Sequence, residues 1–496
     1  MTAVTLQEWV RRANSLVPRS DAFIGGAFTP AQSGERFPTS TPRDGTHLAD
    51  LAACGEADVD RAVRSAHLAF EAGTWSQADP AHRKAVLLRF AELVLSNLEE
   101  LALLESLDVG KPISDTLSVD VPGAARTLSW YAEAIDKTYD QIAPAPRSAV
   151  AMITREPLGV VGAVVPWNYP LLISSWKLAP ALASGNSVVL KPAEDSSLSA
   201  LLLAELGSQA GLPDGVLNVV PGSGPVAGAA LGRHHLVAKL AFTGSPAVGR
   251  RFLAYAAESN AKQVSLELGG KSPQVVLGDA PNLDAVASSV AWGIYYNAGQ
   301  TCNAGSLLVT EPGVRDELLH KVVSLTNSFV VGDPLNPATQ MGPLASYPQR
   351  ERVTGYLDLV GSEGGRLLTT RQAHVGPGAY VAPTLVDGVP AASRLAQEEV
   401  FGPVLVHLPA KNLDDAIKLA NGTRYGLAAS VWTRDVSVAH HTARRLRAGT
   451  VWVNTFDASD VITPFGGFGE SGSGRDKSLH ALDAYTALKT TWINLT

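Results

Sequence analysis

The chain contains very little cysteine for its size. Only Cys54 and Cys302 occur among 496 residues. Two cysteines form at most one disulfide, and such low usage in a long chain is typical of a reducing compartment. The sequence therefore disfavours a disulfide-stabilised secreted scaffold. It predicts a cytoplasmic protein in which Cys54 has a structural position.

Long apolar runs and blocks of basic charge are also absent. No uninterrupted apolar stretch approaches the length of a membrane span, and residues 1–17 predict a polar amphipathic helix without a signal peptide's apolar centre. The 40 basic and 47 acidic residues give a net charge of −7 with no basic cluster. The sequence thus predicts neither a nucleic acid nor a membrane as partner, and a small molecule is expected instead.

Two further signals of function are missing. The G-x-G-x-x-G fingerprint does not follow the first strand predicted in the central region, where the segment 166–170 reads Pro-Trp-Asn-Tyr-Pro. An ordinary Rossmann dehydrogenase is therefore disfavoured. The eleven histidines are scattered, and the pairs 234–235 and 440–441 are expected at the surface rather than as metal ligands. No metal site is predicted.

The hydrophobic content of 46% is ample for a large core divided among two or more domains. The first third is predicted to be mainly helical, and residues 159–277 alternate β-branched runs with helical stretches. This order predicts a parallel, doubly wound sheet with a ligand crevice at the carboxyl ends of its strands. The predicted strands are 159–165, 187–191, 216–220, 239–242 and 264–268, with helices over 171–184, 196–210, 224–232 and 246–258.

A second α/β unit is predicted beyond residue 266. Its predicted strands are 307–310, 405–408, 428–433 and 450–454, with helices near 313–328, 346–362, 412–421 and 436–446. A last strand is predicted over 488–494, and a similar extended piece spans 147–156. We expect these two pieces to pair in a protruding sheet used for oligomerisation.

Cys302 lies among small and polar residues in the segment 296–305 rather than inside an apolar run. A thiol is a nucleophile only as a thiolate, and the flanking Gly299 and Gly305 would let backbone N–H groups approach it and lower its pKa. The alternative at this point is an ordinary buried cysteine.

Two strand ends offer residues suited to a dinucleotide. Gly244 and Ser245, followed by Gly249, are expected at a helix N-terminus, which attracts a diphosphate. Lys191 and Glu194 can bind ribose hydroxyls, and the carboxylate disfavours a 2′-phosphate. For either motif alone, a helix cap at Gly244-Ser245 or an ordinary strand end at Lys191 is the better interpretation, and only the two together favour a dinucleotide site.

Glu267 lies within the predicted strand 264–268, just before the glycine pair Gly269-Gly270. Strand alternation puts Ser265 and Glu267 on the face opposite Val264, Leu266 and Leu268. A buried carboxylate with a raised pKa is a suitable general base, and a salt-bridged structural glutamate is the alternative.

Six motifs in order give the chain a resemblance that covers nearly its whole length. They are PWNYP at 166–170, KPAE at 191–194, FTGS at 242–245, LELGGKS at 266–272, GQTC at 299–302 and EEVFGPV at 398–404. The chain resembles the aldehyde dehydrogenase superfamily. The resemblance implies an α/β fold with a Rossmann-type cofactor domain, an α/β catalytic domain and a small oligomerisation sheet. The implied divisions are an NAD-binding domain over 1–138 and 157–265, a catalytic domain over 266–465, and oligomerisation segments over 139–156 and 480–496.

The same resemblance implies roles for individual residues and a homotetramer or homodimer. Cys302 would be the nucleophile, Glu267 the base, and Asn168 the donor to the oxyanion. The implied NAD-binding residues are Pro166, Trp167, Lys191, Glu194, Gly244, Ser245, Gly249, Leu268, Glu399 and Phe401. Ala298 departs from the larger polar residue of many relatives, which affects the shape of the pocket.

The substrate is expected to be an aldehyde with an amino group. Asp457 and Asp460 could hold an ammonium between aromatic walls, and the segment 474–482 resembles the γ-glutamyl-γ-aminobutyraldehyde dehydrogenases of polyamine breakdown. The predicted substrate-binding residues are Tyr169, Trp176, Tyr296, Thr301, Asn303, Asp457, Asp460 and Phe465. The alternatives are solvated loop aspartates, a broad-specificity aldehyde dehydrogenase, a cysteine hydrolase, acyl transfer to coenzyme A, and a catalytically silent member of the fold.

Overall fold

The computed structural model describes residues 4–369 and 376–496. The strands within these ranges are Ala22–Ile24 (β1), Ala27–Thr29 (β2), Arg36–Ser40 (β3), His47–Ala52 (β4), Gln141–Ala143 (β5), Ala149–Pro157 (β6), Val160–Val164 (β7), Ser187–Lys191 (β8), Leu217–Val219 (β9), Val237–Gly244 (β10), Gln263–Leu268 (β11), Pro273–Val276 (β12), Leu307–Thr310 (β13), Arg366–Leu367 (β14), Thr384–Asp387 (β15), Val404–Pro409 (β16), Ala428–Trp432 (β17), Thr450–Val453 (β18) and Thr486–Asn494 (β19).

The α-helices in the same part of the chain are Leu6–Ser15 (α1), Glu56–Glu71 (α2), Pro80–Ser96 (α3), Leu98–Val109 (α4), Ile113–Asp115 (α5), Val121–Ala134 (α6), Pro170–Ala183 (α7), Leu198–Ala210 (α8), Ala229–Arg233 (α9), Pro246–Ala257 (α10), Leu283–Tyr295 (α11), Pro312–Ser328 (α12), Tyr347–Leu357 (α13), Leu359–Ser362 (α14), Arg394–Gln397 (α15), Leu413–Ala420 (α16), Val436–Arg445 (α17) and His480–Asp483 (α18). Short π-helical turns span Thr116–Asp120 and Gly224–Gly228, and short 3-10 turns span Ile135–Lys137, Tyr296–Gly299 and Gly469–Ser471.

The first large sheet has the strand order β11-β10-β7-β8-β9-β1-β2. The five strands from β11 to β9 are parallel, which confirms the predicted doubly wound sheet. The antiparallel edge pair β1 and β2 was not predicted from the sequence. Both strands are only three residues long, and so short a stretch carries no recognisable alternation of apolar and polar residues.

The turn from β10 into α10 creates the expected helix N-terminus at the carboxyl edge of this sheet. β10 ends at Gly244, Ser245 is the N-cap, and Pro246 occupies the first helical position. Proline is suited to that position because its fixed φ matches the helix and its missing N–H would have had no helical partner. The Ser245 side chain accepts a hydrogen bond from the N–H of Val248 at 3.4 Å. The helix therefore begins directly beside the strand end.

The second large sheet has the order β14-β15-β16-β13-β12-β17-β18. The four predicted strands of this unit are present as β13, β16, β17 and β18. β12, β15 and α11 were missed. β12 begins with a proline and is buried at every position, so it lacks the alternation by which a half-buried strand is recognised. It is nonetheless an interior strand of the sheet and pairs with both β13 and β17.

A third sheet pairs the two extended pieces predicted from the sequence. β19 runs antiparallel to β6 over nine residue pairs, from Thr486 opposite Pro157 to Asn494 opposite Ala149, and β5 pairs with the other edge of β6. Leu488 and Trp492 are exposed on this sheet. The use of this sheet in oligomerisation stays a prediction. β3 and β4 form a separate antiparallel pair.

Three groups of buried apolar side chains lie against the two large sheets. The first sheet carries one group that includes Phe90 and Leu190 and a second that includes Val63 and Leu240, and the second sheet carries a group that includes Val275 and Leu308. Across the described ranges, no helix is long and apolar enough to cross a membrane.

Candidate active site

Cys302 lies just beyond the C-terminal end of α11, in a loop with an unusual backbone. Asn297, Ala298 and Gly299 have φ values of 49°, 53° and 72°. Left-handed conformations are uncommon for residues other than glycine, so Asn297 and Ala298 make the loop a site of local strain. A Cβ at Gly299 would collide with the carbonyl oxygen of Gly402. Glycine at this position therefore allows the close packing that positions the cysteine.

A network of amide hydrogen bonds holds this loop against the loop after β7. The Asn168 Nδ2 donates to the carbonyl oxygen of Gln300 at 2.8 Å, and the Asn297 Nδ2 donates to the carbonyl oxygen of Asn168 at 3.0 Å. The Gln300 Oε1 accepts from the N–H of Ala345 at 2.9 Å. A carboxamide has two N–H donors, so Asn168 keeps one for a ligand. Asn168 and the cysteine loop are thereby fixed relative to each other.

Cys302 lines two cavities at once. The larger has a volume of about 440 Å³, and the smaller has a volume of about 240 Å³. Cys302 and Ile173 are common to both, and Asn168 lines the smaller one. A molecule in either cavity can thus reach the sulfur, which is the arrangement expected for a residue that joins two reactants.

The predicted substrate residues are largely brought together around the larger cavity. Those that line it are Tyr169, Trp176, Tyr296, Thr301, Asn303, Asp457 and Phe465. Asp460 is not among its lining residues. Its carboxylate pairs with the Arg126 guanidinium at 2.6 Å, and its neighbour Ser459 lines the cavity instead. The predicted contact of Asp460 with substrate is corrected by this placement.

Sequence reasoning missed several residues of the larger cavity. They include Val119, Leu172, Ile173, Trp292, Phe456 and Lys477. Trp292 lies on α11, a helix that was not predicted. Lys477 lies in the segment 474–482, where the sequence indicated a family resemblance but no role for the lysine. Aromatic side chains at such positions give no local signal that separates a cavity wall from a core.

The smaller cavity collects most of the predicted cofactor residues. Those that line it are Pro166, Trp167, Gly244, Ser245, Leu268, Glu399 and Phe401. Thr243, Gln349 and Arg352 also line it and were not predicted. The Trp167 and Phe401 rings meet edge to face with centroids 5.3 Å apart. The cavity therefore combines a helix N-terminus, a carboxyl group and an aromatic wall.

Lys191, Glu194 and Gly249 lie outside the wall of this cavity. The Lys191 Nζ is 3.3 Å from the Glu194 Oε2, and the N–H of Gly224 donates to the Glu194 Oε1 at 2.5 Å. A Cβ at Gly249 would be 2.9 Å from a methyl carbon of Leu268. Lys191 and Glu194 thus form a prearranged pair at the end of β8, while Gly249 allows α10 to pack closely on β11.

The environment of the Cys302 thiol differs from the sequence-based expectation. Burial raises the pKa of this thiol, and the nearby carboxylates of Glu399, Glu267 and Asp457 raise it further. The N–H of Asn303 donates to the sulfur and lowers the pKa by a smaller amount. The prediction that backbone N–H groups give Cys302 a lowered pKa is therefore wrong for this structure, because desolvation and three like charges outweigh them.

The Glu267 carboxyl group is buried without a hydrogen bond to any described residue. Its side chain is 3% exposed, and neither carboxylate oxygen has a hydrogen-bond partner among the described residues. Desolvation, followed by the charge of Asp476, raises its pKa well above the ordinary value. The adjacent Asp476 carboxylate is held by the Lys177 Nζ at 2.6 Å. The alternative of a salt-bridged structural glutamate is not observed.

Glu399 is set against the glycine pair that follows β11. The N–H of Gly270 donates to its Oε1 at 2.9 Å, and a Cβ at Gly269 would collide with the carboxylate. Burial raises the pKa of Glu399 to about 7. Only glycine at position 269 leaves room for this carboxyl group in the wall of the smaller cavity.

Cys54 and the histidines take no part in this site. Cys54 is buried in the apolar group that includes Val63 and Leu240, and burial raises its pKa to about 12. No histidine lines either of the two cavities at Cys302. His235 and His440 are exposed, and His234 is half-buried and lies 3.2 Å from an Asp60 oxygen. Within the described ranges, no cluster of three or more potential metal ligands occurs.

Comparison with known proteins agrees with this geometry. The model of the aldehyde dehydrogenase family matches residues 28–491. The NADP/NAD-dependent aldehyde dehydrogenase PuuC of Escherichia coli (strain K12) is 49% identical over 490 residues, covering 99% of each chain.

Two solved structures are similar over almost the full length. A cysteine-to-alanine mutant of the P. syringae indole-3-acetaldehyde dehydrogenase AldA, in complex with NAD+ and IAA, is 51% identical with a TM-score of 0.98, covering 99% of this chain and 100% of that one. The γ-glutamyl-γ-aminobutyraldehyde dehydrogenase of Burkholderia cenocepacia J2315 is 51% identical with a TM-score of 0.97, at the same coverage. A matching family model and full-length relatives at this identity leave one conclusion. The chain belongs to the aldehyde dehydrogenase family.

Proposed function

We propose that this protein oxidises an aldehyde, of the amino- or γ-glutamylamino-aldehyde type, to the carboxylic acid with NAD as cofactor. The observation that carries the proposal is that Cys302 forms a shared wall of the two cavities. One cavity is aromatic and suits an organic substrate. The other has the helix N-terminus and carboxyl group that suit a dinucleotide.

The first step is addition of the Cys302 sulfur, as the thiolate, to the aldehyde carbon. A carbon–sulfur bond forms, the carbonyl π-bond breaks, and the oxygen gains negative charge. The remaining N–H of the Asn168 amide and the backbone N–H of Cys302 are the proposed donors to this oxygen. Because Asn168 is already bonded to Gln300, its amide is held in place before the reaction.

The residues of the smaller cavity fit a nicotinamide dinucleotide. Gly244 and Ser245 offer the N-terminal N–H groups of α10 to a diphosphate, and Glu399 offers a carboxylate to a ribose. Lys191 and Glu194 form a second, preformed ribose site at the end of β8. When bound, NAD supplies the hydride acceptor that converts the thiohemiacetal on Cys302 into a thioester.

Release of the acid requires a base for water. Glu267 is the proposed base, since its buried carboxylate has a raised pKa and no competing hydrogen-bond partner among the described residues. It removes a proton from the water that attacks the thioester, and the thiolate of Cys302 departs as the carbon–sulfur bond breaks. The adjacent Lys177–Asp476 pair adjusts the proton affinity of Glu267.

The proposed substrate class rests on one charged residue and on the relatives. Asp457 lines the larger cavity, and its Oδ1 accepts from the Asn303 Nδ2 at 2.7 Å. This carboxylate can receive an ammonium or amide N–H between aromatic walls. The similar B. cenocepacia protein is named for γ-glutamyl-γ-aminobutyraldehyde, which supports a place in polyamine breakdown, including that of putrescine.

A broad-specificity enzyme for apolar aldehydes is the second candidate. Trp176, Trp292, Phe456 and Phe465 give the larger cavity an aromatic surface, and the similar P. syringae protein is named for indole-3-acetaldehyde. A cysteine hydrolase is disfavoured because neither cavity offers a histidine to the thiol. Glu267 favours water over coenzyme A as the acyl acceptor, and the presence of all three catalytic residue types disfavours a silent member of the fold.

The proposal also includes compartment, assembly and domain division. Cys54 and Cys302 are both free thiols, which suits the reducing cytoplasm. The exposed apolar residues of the β6–β19 sheet support a homotetramer or homodimer. We retain 1–138 with 157–265 as the NAD-binding domain, 266–465 as the catalytic domain, and 139–156 with 480–496 as oligomerisation segments.

Formation of NADH across a panel of aldehydes tests the function directly. The absorbance of NADH is followed with an aminoaldehyde, a γ-glutamylamino-aldehyde, and an alkyl and an aromatic aldehyde, with NAD or NADP. The proposal predicts NADH formation with the highest kcat/KM for the amino-substituted compounds. Absence of NADH or NADPH formation with every aldehyde would refute an oxidising role, and a preference for the alkyl or aromatic aldehyde would favour the second candidate.

A further inference from the structure

Lys477 is a buried cation in the wall of the larger cavity. Its side chain is 5% exposed, and it shares this wall with Cys302 and Asp457. Its Nζ lies 4.9 Å from the centre of the Trp176 ring and 5.2 Å from that of Phe465. Two aromatic faces thus surround the ammonium, but neither of them accepts a conventional hydrogen bond.

The backbone holds Lys477 in this position by an unusual conformation. Lys477 and Ser478 have φ values of 62° and 53°. On one side Asp476 exchanges two backbone hydrogen bonds of 2.8 Å with Phe465. On the other side the N–H of Ser478 donates to Val461, and its carbonyl oxygen accepts from the Tyr131 hydroxyl at 3.0 Å. The hydrogen bonds on both sides of this left-handed pair therefore fix the backbone that carries Lys477 in the cavity wall.

The ammonium lacks a partner although carboxylates are near. Asp457, Asp476 and Asp460 all act on the charge of Lys477, but within the described ranges no carboxylate forms an ion pair or hydrogen bond with its Nζ. The Asp476 carboxylate forms an ion pair with the Lys177 Nζ at 2.6 Å, and the Asp460 carboxylate forms one with the Arg126 guanidinium at 2.6 Å. Asp457 accepts from Asn303 instead.

The Lys477 ammonium belongs to the wall of an open cavity, where no described side chain supplies an acceptor. Desolvation by the surrounding side chains lowers the pKa of Lys477. An oxygen of a molecule bound in the cavity would supply the acceptor and stabilise the charged form.

We propose that Lys477 determines substrate specificity by donating to a carboxylate or amide carbonyl oxygen of the aldehyde. This inference rests on the proposed function and narrows it. Lys477 and Asp457 line one cavity as separate, unlike charges, so they favour a substrate with an oxygen acceptor as well as an amino group. A simple ω-aminoaldehyde offers an ammonium to Asp457 but no oxygen acceptor to Lys477. The preferred class is then an aldehyde with an N-acyl or carboxylate group, such as a γ-glutamylamino-aldehyde.

The test compares three aldehydes that differ in the acceptor group they carry, in matched variants. The substrates are pentanal, glutaric semialdehyde, which has a carboxylate, and acetamidobutanal, which has an amide carbonyl. The variants are Lys477→Met, which keeps the apolar stem against the two rings, and Lys477→Arg, which keeps the charge. Lys137→Met, at an exposed lysine far along the chain, is the control.

The quantity measured is the ratio of kcat/KM for each oxygen-bearing aldehyde to that for pentanal. A hydrogen bond to a charged donor predicts that Lys477→Met lowers this ratio about tenfold or more, mainly through KM. Lys477→Arg should keep most of the ratio, and Lys137→Met should leave it unchanged. A larger fall for glutaric semialdehyde than for acetamidobutanal identifies a carboxylate as the better partner, and the reverse identifies an amide.

Other outcomes overturn the inference. A ratio that stays within about twofold in Lys477→Met, by the same energetic criterion, means that Lys477 does not bind the oxygen. An equal loss with all three aldehydes, together with slower alkylation of Cys302 by iodoacetamide, would assign Lys477 to the thiol instead. If Lys477→Met does not fold, the kcat/KM values of the wild-type protein for the three aldehydes test the proposal. Equal values for all three would refute it. Failure of the proposed function is distinct, since then no aldehyde yields NADH.

Discussion

The Asn168 side-chain amide donates to the carbonyl oxygen of Gln300 across 2.8 Å. The two residues belong to loops that follow different elements, β7 and α11. Their hydrogen bond joins the proposed oxyanion donor to the loop of the proposed nucleophile. The position of one catalytic group is therefore set by the loop of the other, and this relationship leads to the first prediction.

Replacing Asn168 with alanine should slow turnover and leave the protein folded. Loss of one oxyanion donor typically lowers kcat by about 10² to 10³. Loss of one buried hydrogen bond costs about 1 kcal/mol of stability, a shift that a thermal melt resolves. Steady-state kinetics and the melting curve of Asn168→Ala check both parts. Wild-type kcat in a folded variant would remove Asn168 from the mechanism.

Activity should rise with pH through the titration of Glu267 and Cys302. Both groups act in their deprotonated forms, and burial raises both pKa values in the folded protein. A raised pKa moves the rise in rate to higher pH, so the acidic limb of kcat/KM should lie well above the ordinary pKa of a glutamate, 4.5. A profile from about pH 5 to about pH 10 measures this. A rate that already reaches its plateau near the ordinary glutamate pKa would contradict the proposed roles.

Glu194 should favour NAD over NADP. Its carboxylate is held by Lys191 and by the N–H of Gly224, and it would repel a 2′-phosphate. Glu194→Gln should therefore narrow the ratio of kcat/KM for NAD to that for NADP. Glu317→Gln, at an exposed carboxylate on α12, is the control. An unchanged ratio in Glu194→Gln means that this carboxylate does not contact the ribose.

Asp457 rather than Asp460 should confer a preference for amino-substituted aldehydes. Asp457 lines the larger cavity, whereas Asp460 is bound to Arg126 outside it. Asp457→Asn should reduce the advantage of an aminoaldehyde over an alkyl aldehyde of equal length. Asp460→Asn serves as the matched comparison and should keep that advantage. The reverse pattern, or no advantage in the wild type, would refute this assignment.

The sequence predicts those features that depend on residue type and order. The parallel strands β7 to β11 follow from β-branched runs between helical stretches. The positions of Cys302, Glu267 and Glu399 follow from motifs in sequence order. β19 and β6 could be paired because both are extended segments outside the two α/β units. In each case the signal lies in a short local stretch.

Features that depend on distant residues could not be predicted. The pKa of Cys302 is raised by burial and then by carboxylates that include Glu399 and Asp457, which are far along the chain and come near the sulfur only in the fold. The orientation of Asp460 depends on a loop in which Asn454 and Asp457 have φ values of 53° and 57°. Such turns reverse the direction of neighbouring side chains, and the sequence alone does not specify them. β12 could not be recognised because it is buried on both faces and so lacks alternation of apolar and polar residues.

The central claim is that Cys302 carries the acyl group and Glu267 releases it. In Glu267→Gln, acylation should proceed while hydrolysis slows, because the amide cannot remove a proton from water. Glu258→Gln, at an exposed carboxylate, and Cys302→Ala are the controls. The measurement is mass spectrometry of Glu267→Gln, quenched in acid shortly after mixing with an aldehyde and NAD, followed by mapping of the modified peptide. The account predicts an acyl group on the peptide that contains Cys302, none on Cys54, and no adduct in Cys302→Ala. Continued aldehyde oxidation by Cys302→Ala, or turnover without an adduct on Cys302 in Glu267→Gln, would contradict it.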